Sequence, residues 1–117
     1  MANKETDILA VKLVPGPNGA PLGKVIRVRD VNKAIEKNVT SNFEEAATRS
    51  VDVAFDLPVN VVFSLGSTGR VIDFANVYFI GPVMIFGKDH DGRVQSLSRA
   101  EIHAIAYFCA SFKYSEE

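Results

Sequence analysis

Two four-residue apolar runs, Val77-Tyr78-Phe79-Ile80 and Val83-Met84-Ile85-Phe86, meet at Gly81-Pro82. Pro82 has no amide proton to offer a sheet ladder, and Gly81 tolerates backbone angles other residues avoid. A single regular strand is therefore disfavoured, and the strand-rich stretch from Val71 to Ile85 should break its pairing there as a turn, bulge or kink. Two consecutive aromatics cannot both face inward on one strand, so Tyr78 or Phe79 should point away from the main core. Asp91-Gly92 is the most direct hairpin signal in the chain and should reverse it between Phe86 and Val94.

Beyond Val94 the chain reads as a helix. Ser98-Arg99-Ala100-Glu101 matches a capping box, in which Ser98 accepts from the Glu101 amide and Glu101 accepts from the Ser98 amide. Leu97 and Ile102 occupy the hydrophobic-staple positions around it. The spacing of Ile102, Ile105, Ala106, Cys109 and Phe112 or Lys113 predicts a helix over about 99–113.

The first half carries weaker but similar signals. Leu9, Val11 and Leu13 alternate with Ile8, Ala10, Lys12 and Val14, as in a strand buried mainly on one side. Pro15 to Pro21 holds three prolines and two glycines in seven residues, so only a loop fits there. Lys24 to Val28 should return as the second strand of a hairpin. Asp30 is placed to cap a short amphipathic helix over about 31–39, with Val31, Ala34 and Ile35 inward. Thr40 to Thr48 is ambiguous, with Glu44 to Ala47 favouring helix. Alternation returns from Arg49 to Phe55, and an apolar run continues from Val61 to Leu65. Pro58 between them belongs at an edge or turn.

These pieces predict an α+β fold, a mainly antiparallel sheet of about five to seven strands packed with two helices, in a single domain over 1–117. Residues 1–6 and 115–117 are expected to be flexible. A net charge of −1 provides no global field to gather polyanions, which disfavours nucleic-acid binding. Lys24, Arg27 and Arg29, with Lys33 and Lys37 beyond, form the best local basic cluster, but Asp30 and Glu36 interrupt it and it reads as a solvated face. One cysteine, a polar opening segment and no apolar run near the ~18 residues that span a bilayer predict a soluble, cytoplasmic protein with no membrane partner.

No arrangement that carries chemistry stands out, so no catalytic residue, metal or cofactor is assigned. His90 and His103 lack zinc-type spacing, and Lys88 through Arg99 lacks the oxygen ligands of a calcium loop. Cys109 reads as a small hydrophobe. Gly66, Ser67, Thr68, Gly69 and Arg70 have the composition of an anion nest, in which Arg70 would fork onto a phosphate of a small anionic ligand such as a nucleotide. The same residues also make an ordinary loop. Aromatic surplus in the final third marks Tyr78, Phe79, Phe108 and Tyr114 as interface candidates.

The Val11-Lys12-Leu13-Val14-Pro15-Gly16 opening, Val25 to Asn38, Leu57-Pro58-Val59-Asn60, and Phe79 to Gly87 followed by Asp91-Gly92 and Ser96-Leu97-Ser98 resemble an uncharacterised family of small phage, prophage and plasmid proteins. The likeness covers most of the chain and is diffuse. It implies a mobile-element origin and no particular activity. Together these readings predict a non-catalytic accessory protein that binds a host protein or assembles with itself, with ligand sequestration at Gly66 to Arg70 as the alternative.

Overall fold

Between Gly16 and Ala20 the chain reverses and joins two strands of equal length, β1 (Ile8–Pro15) and β2 (Pro21–Val28). They pair antiparallel from Ile8 against Val28 to Pro15 against Pro21, and the Gly16 amide closes the loop onto the Ala20 carbonyl at 2.9 Å. The computed structural model describes residues 7–17, 20–40, 47–51, 60–64, 70–74, 77–89, 91 and 93–113. Among these lie α1 (Val31–Asn38), β3 (Ala47–Val51), β4 (Asn60–Ser64), β5 (Arg70–Phe74), β6 (Val77–Gly81), β7 (Val83–Lys88), β8 (Val94–Gln95), α2 (Arg99–Tyr107) and β9 (Ser111–Lys113).

The main sheet runs β3-β4-β7-β1-β2-β9, with β8 pairing the end of β7, and β5 and β6 form a separate two-stranded ribbon. All these pairings are antiparallel except β2 with β9. The α+β class and its mainly antiparallel sheet are therefore as the sequence predicts. Ala47 and Thr48 belong to a strand, and residues 41–46 and 52–59 lie outside the described set, with Pro58 among them.

Strand β7 is central and buried on both faces. Val83 and Ile85 join one core with Val11, Leu13, Val25, Ile72, Phe74, Phe79, Ile102 and Ile105. Met84 and Phe86 join a second with Ala10, Val28, Ile35 and Val39. A strand covered on both sides needs an unbroken apolar run, which 83–86 supplies. β1 keeps the predicted bias to one side, with Ala10 the only fully buried residue on its other face. Val11 and Leu13 face the ribbon and α2, while Ala10 faces α1.

Gly81-Pro82, joined by a cis peptide bond, is where the chain leaves the ribbon for the main sheet. The predicted break in pairing is thus a change of layer.

Both predicted helix starts are present. Asp30 Oδ1 accepts from the Lys33 amide at 3.1 Å. Ser98 Oγ accepts from the Glu101 amide at 3.1 Å, and Glu101 Oε1 accepts from the Ser98 amide at 2.9 Å. The box is held against β1, because the Leu97 amide donates to the Leu9 carbonyl and the Leu9 amide donates to Ser96 Oγ, both at 2.9 Å.

The predicted end of the second helix is corrected. It stops at Tyr107 instead of continuing to Lys113. The Phe108 and Cys109 amides tighten onto the Ile105 and Ala106 carbonyls, and the Ala110 amide donates to the Pro21 carbonyl at 2.8 Å. Ser111–Lys113 then adds to β2 as a parallel strand, with Phe112 opposite Gly23. A Cβ at Gly23 would lie 2.8 Å from Phe112 Cδ1 and 3.0 Å from Cys109 Sγ, so the missing side chain makes room for both. Helical propensity over 108–113 is outweighed by backbone pairing with β2 and by packing of Phe112 on the first core.

Candidate functional site

Alternation along the ribbon divides it cleanly. Ile72, Phe74 and Phe79 face the core, whereas Val71, Asp73 and Tyr78 face outward. Tyr78 is 66% exposed and Phe79 only 3%, which resolves the expected division between these neighbours. Phe79 is thereby corrected from interface candidate to core residue. Its position opposite Ile72 in the ribbon register places it inward.

Phe108, the cap residue of α2, is 38% exposed and stacks edge-on against Phe74 with ring centroids 5.6 Å apart. Tyr107 stacks edge-on against Phe108 at 5.3 Å and is 83% exposed. A chain of aromatic rings thus leads from the core at Phe74 out to solvent at Tyr107. Tyr107 is the last residue of α2 and shares the exposed helix face of His103, one turn before it. Tyr114 lies outside the described residues.

The anion-nest candidate is divided in the same way. Gly66, Ser67, Thr68 and Gly69 lie outside the described residues, while Arg70 opens β5 and donates through Nη2 to the Gly16 carbonyl at 3.4 Å. Part of its guanidinium fork is occupied in tying the ribbon to the β1–β2 loop.

Cys109 packs on the first core, donates its thiol hydrogen to the Ile105 carbonyl at 3.4 Å, and has its pKa pushed up by burial from 9.0 to about 11. A neutral thiol with its hydrogen engaged is a poor nucleophile. A group whose folded pKa is raised stabilises the fold below its unfolded value and loses that contribution as pH climbs through the folded one. Stability of the wild-type chain should accordingly fall between pH 9.0 and about 11 through this thiol. In denaturant titrations across that window, Cys109→Ala should show a flatter decline than wild type, and an equally steep one would contradict the assignment.

His103 is exposed and His90 lies outside the described residues. No group of three or more metal-ligating side chains occurs among the described residues.

Lys24, Arg27, Arg29, Lys33 and Lys37 are all exposed, as a solvated surface requires, but Lys24 and Arg27 lie on opposite faces of the sheet. Arg29 pairs with Asp7 at 3.1 Å, and Arg27 lies opposite Leu9 on the sheet face that carries Val25. Lys24 is instead aligned with Lys12 across β1–β2 and with Lys113 across β2–β9. These three lysines line a cleft of about 260 Å³ beside the next register row, Val14, Leu22 and Ser111. Half of this row is legible in sequence. A hairpin closed symmetrically by the Pro15 to Pro21 loop must put Lys12 opposite Lys24. Lys113 enters only through the unforeseen strand β9.

Compared with protein-family models, with curated proteins and with solved structures, the chain matches none of them. No helix among the described residues is long and apolar enough to cross a membrane.

Proposed function

We propose that this chain is a non-catalytic binding protein that docks a protein partner, in the first place a second copy of itself, through the outer ribbon face and the aromatic end of α2. The carrying observation is the ring sequence Phe74, Phe108, Tyr107, which ends in a tyrosine 83% exposed. Tyr78 and Val71, both more than half exposed, add apolar surface on the outward face of the ribbon. Tyrosine supplies large rigid contact area with a polar tip, which is why it recurs at the energetic centres of interfaces. A net charge of −1 leaves little repulsion between two copies. A two-fold pairing would let each copy offer the same patch to the other. The resemblance to phage and plasmid proteins makes a host protein the other partner to test, in the cytoplasm that the lone cysteine suggests.

Sedimentation velocity at micromolar concentrations decides between them. Wild type should dimerise, and Tyr107→Ser should weaken association by about thirtyfold, the consequence of losing about 2 kcal/mol at a central contact. A wild-type chain that stays monomeric at every concentration, and recovers no partner from host lysate, would remove this reading.

A further inference from the structure

We infer that Lys12, Lys24 and Lys113 form a binding site for a compact polyphosphate, either inorganic or the phosphate chain of a nucleotide. The three lysines occupy one register row on three adjacent strands, Lys12 opposite Lys24 and Lys24 opposite Lys113. At about 4.8 Å per strand the row spans ~10 Å. Like charges placed directly opposite one another weaken a sheet, so such a row costs stability unless an anion sits on it. Among the described residues that line the cleft there is no carboxylate.

The site is built around a held ammonium. Lys12 Nζ donates to Asn38 Oδ1 at 3.2 Å, and Asn38 Nδ2 is itself anchored on the Ala34 carbonyl at 2.8 Å. Asn38, the last residue of α1, thus orients one lysine, which keeps two further protons to donate. Burial, with Lys24 and Lys37 nearby, lowers the Lys12 pKa from 10.5, a repulsion that a bound anion would relieve.

Size and shape select the ligand. A single phosphate would satisfy one or two ammoniums, whereas a chain of two or three phosphates lies along all three. A volume of about 260 Å³ is below the ~300 Å³ typical of the smallest drug-sized pockets, which suits a short phosphate chain better than a whole nucleotide. Val14 and Leu22 in the adjoining row offer an apolar shelf where a ribose edge can rest. A bordered cleft on a chain of net charge −1 lacks the long basic track that nucleic acid requires.

Isothermal titration calorimetry of the full chain at low salt tests this with inorganic phosphate, pyrophosphate, tripolyphosphate, ATP and a single-stranded oligonucleotide. Affinity should rise from phosphate through pyrophosphate to tripolyphosphate and fall with added salt. ATP binding tighter than tripolyphosphate would identify a nucleotide as the source, and equal or weaker binding an inorganic chain. Lys24→Gln and Lys113→Gln should each weaken tripolyphosphate about tenfold or more, while Lys24→Arg retains it. Melting of the unliganded Gln variants should stay at or above the wild-type midpoint, because each change removes repulsion. The inference is overturned by no heat with tripolyphosphate, by undiminished binding in the Lys24→Gln/Lys113→Gln double variant, or by an oligonucleotide that binds more tightly than tripolyphosphate at equal ionic strength.

Discussion

Phe86→Ala is expected to cost about 3–5 kcal/mol. The ring is fully buried on the central strand, beside Met84 and in one cluster with Val28 of β2 and Ile35 of α1. β7 is hydrogen-bonded on both sides, Phe86 standing opposite Val61 of β4 while Ile85 stands opposite Val11 of β1. Strands held on both edges cannot shift to close the void, so little of the cavity cost is recovered. Against a typical domain stability of about 5–15 kcal/mol, the variant should unfold in markedly less urea or lack a native baseline. Tyr78→Ala is the matched control, since its ring is mostly exposed and its removal should change stability little. Similar urea midpoints for the two variants would show that the second core does not hold the molecule together.

Gly81→Val should also destabilise the fold, for a different reason. A Cβ at position 81 runs directly into Ile72 Cδ1, and lies 3.1 Å from both Ile72 Cγ1 and Pro15 Cδ. Ile72 is fully buried in the first core, and Pro15 ends β1 at the closed loop, so neither side yields freely. Overpacking of this kind costs about 1–3 kcal/mol, and here it falls where the ribbon joins the main sheet. The expected signature is a lowered melting midpoint with altered amide signals across Arg70–Phe74 as well as around 81. Gly81→Val with wild-type melting and unchanged signals on β5 would mean that the ribbon does not pack as described.

Local chemistry was readable wherever the partners lie within a few residues. Ser98 with Glu101 and Asp30 with Lys33 satisfy unpaired helix amides across three positions, so composition at those positions is enough to place both helix starts. Gly81-Pro82 interrupts a ladder through its own covalent structure. The β1–β2 hairpin arises from two apolar segments set symmetrically about a loop that admits nothing else.

Elsewhere the deciding partners were distant. Which elements cover the faces of β1 depends on where α1 and α2 settle. Phe112 has helical spacing from Ile105 and Cys109, yet it pairs opposite Gly23, almost ninety positions away. Because that pairing was not foreseen, the aromatic site was only half legible. Phe79 turned inward by ribbon register, while Phe108, just past the end of α2, packed on Phe74.

The sequence by itself thus determined the α+β class, the breaks, the caps and the hairpin, because each rests on backbone geometry or a hydrogen bond closed within one turn. Tertiary structure decided which residues share a face, where the last helix yields to a strand, and that Lys12, Lys24 and Lys113 stand in one row. Burial and charge repulsion are sums over groups brought together only by folding, so no window of sequence contains them.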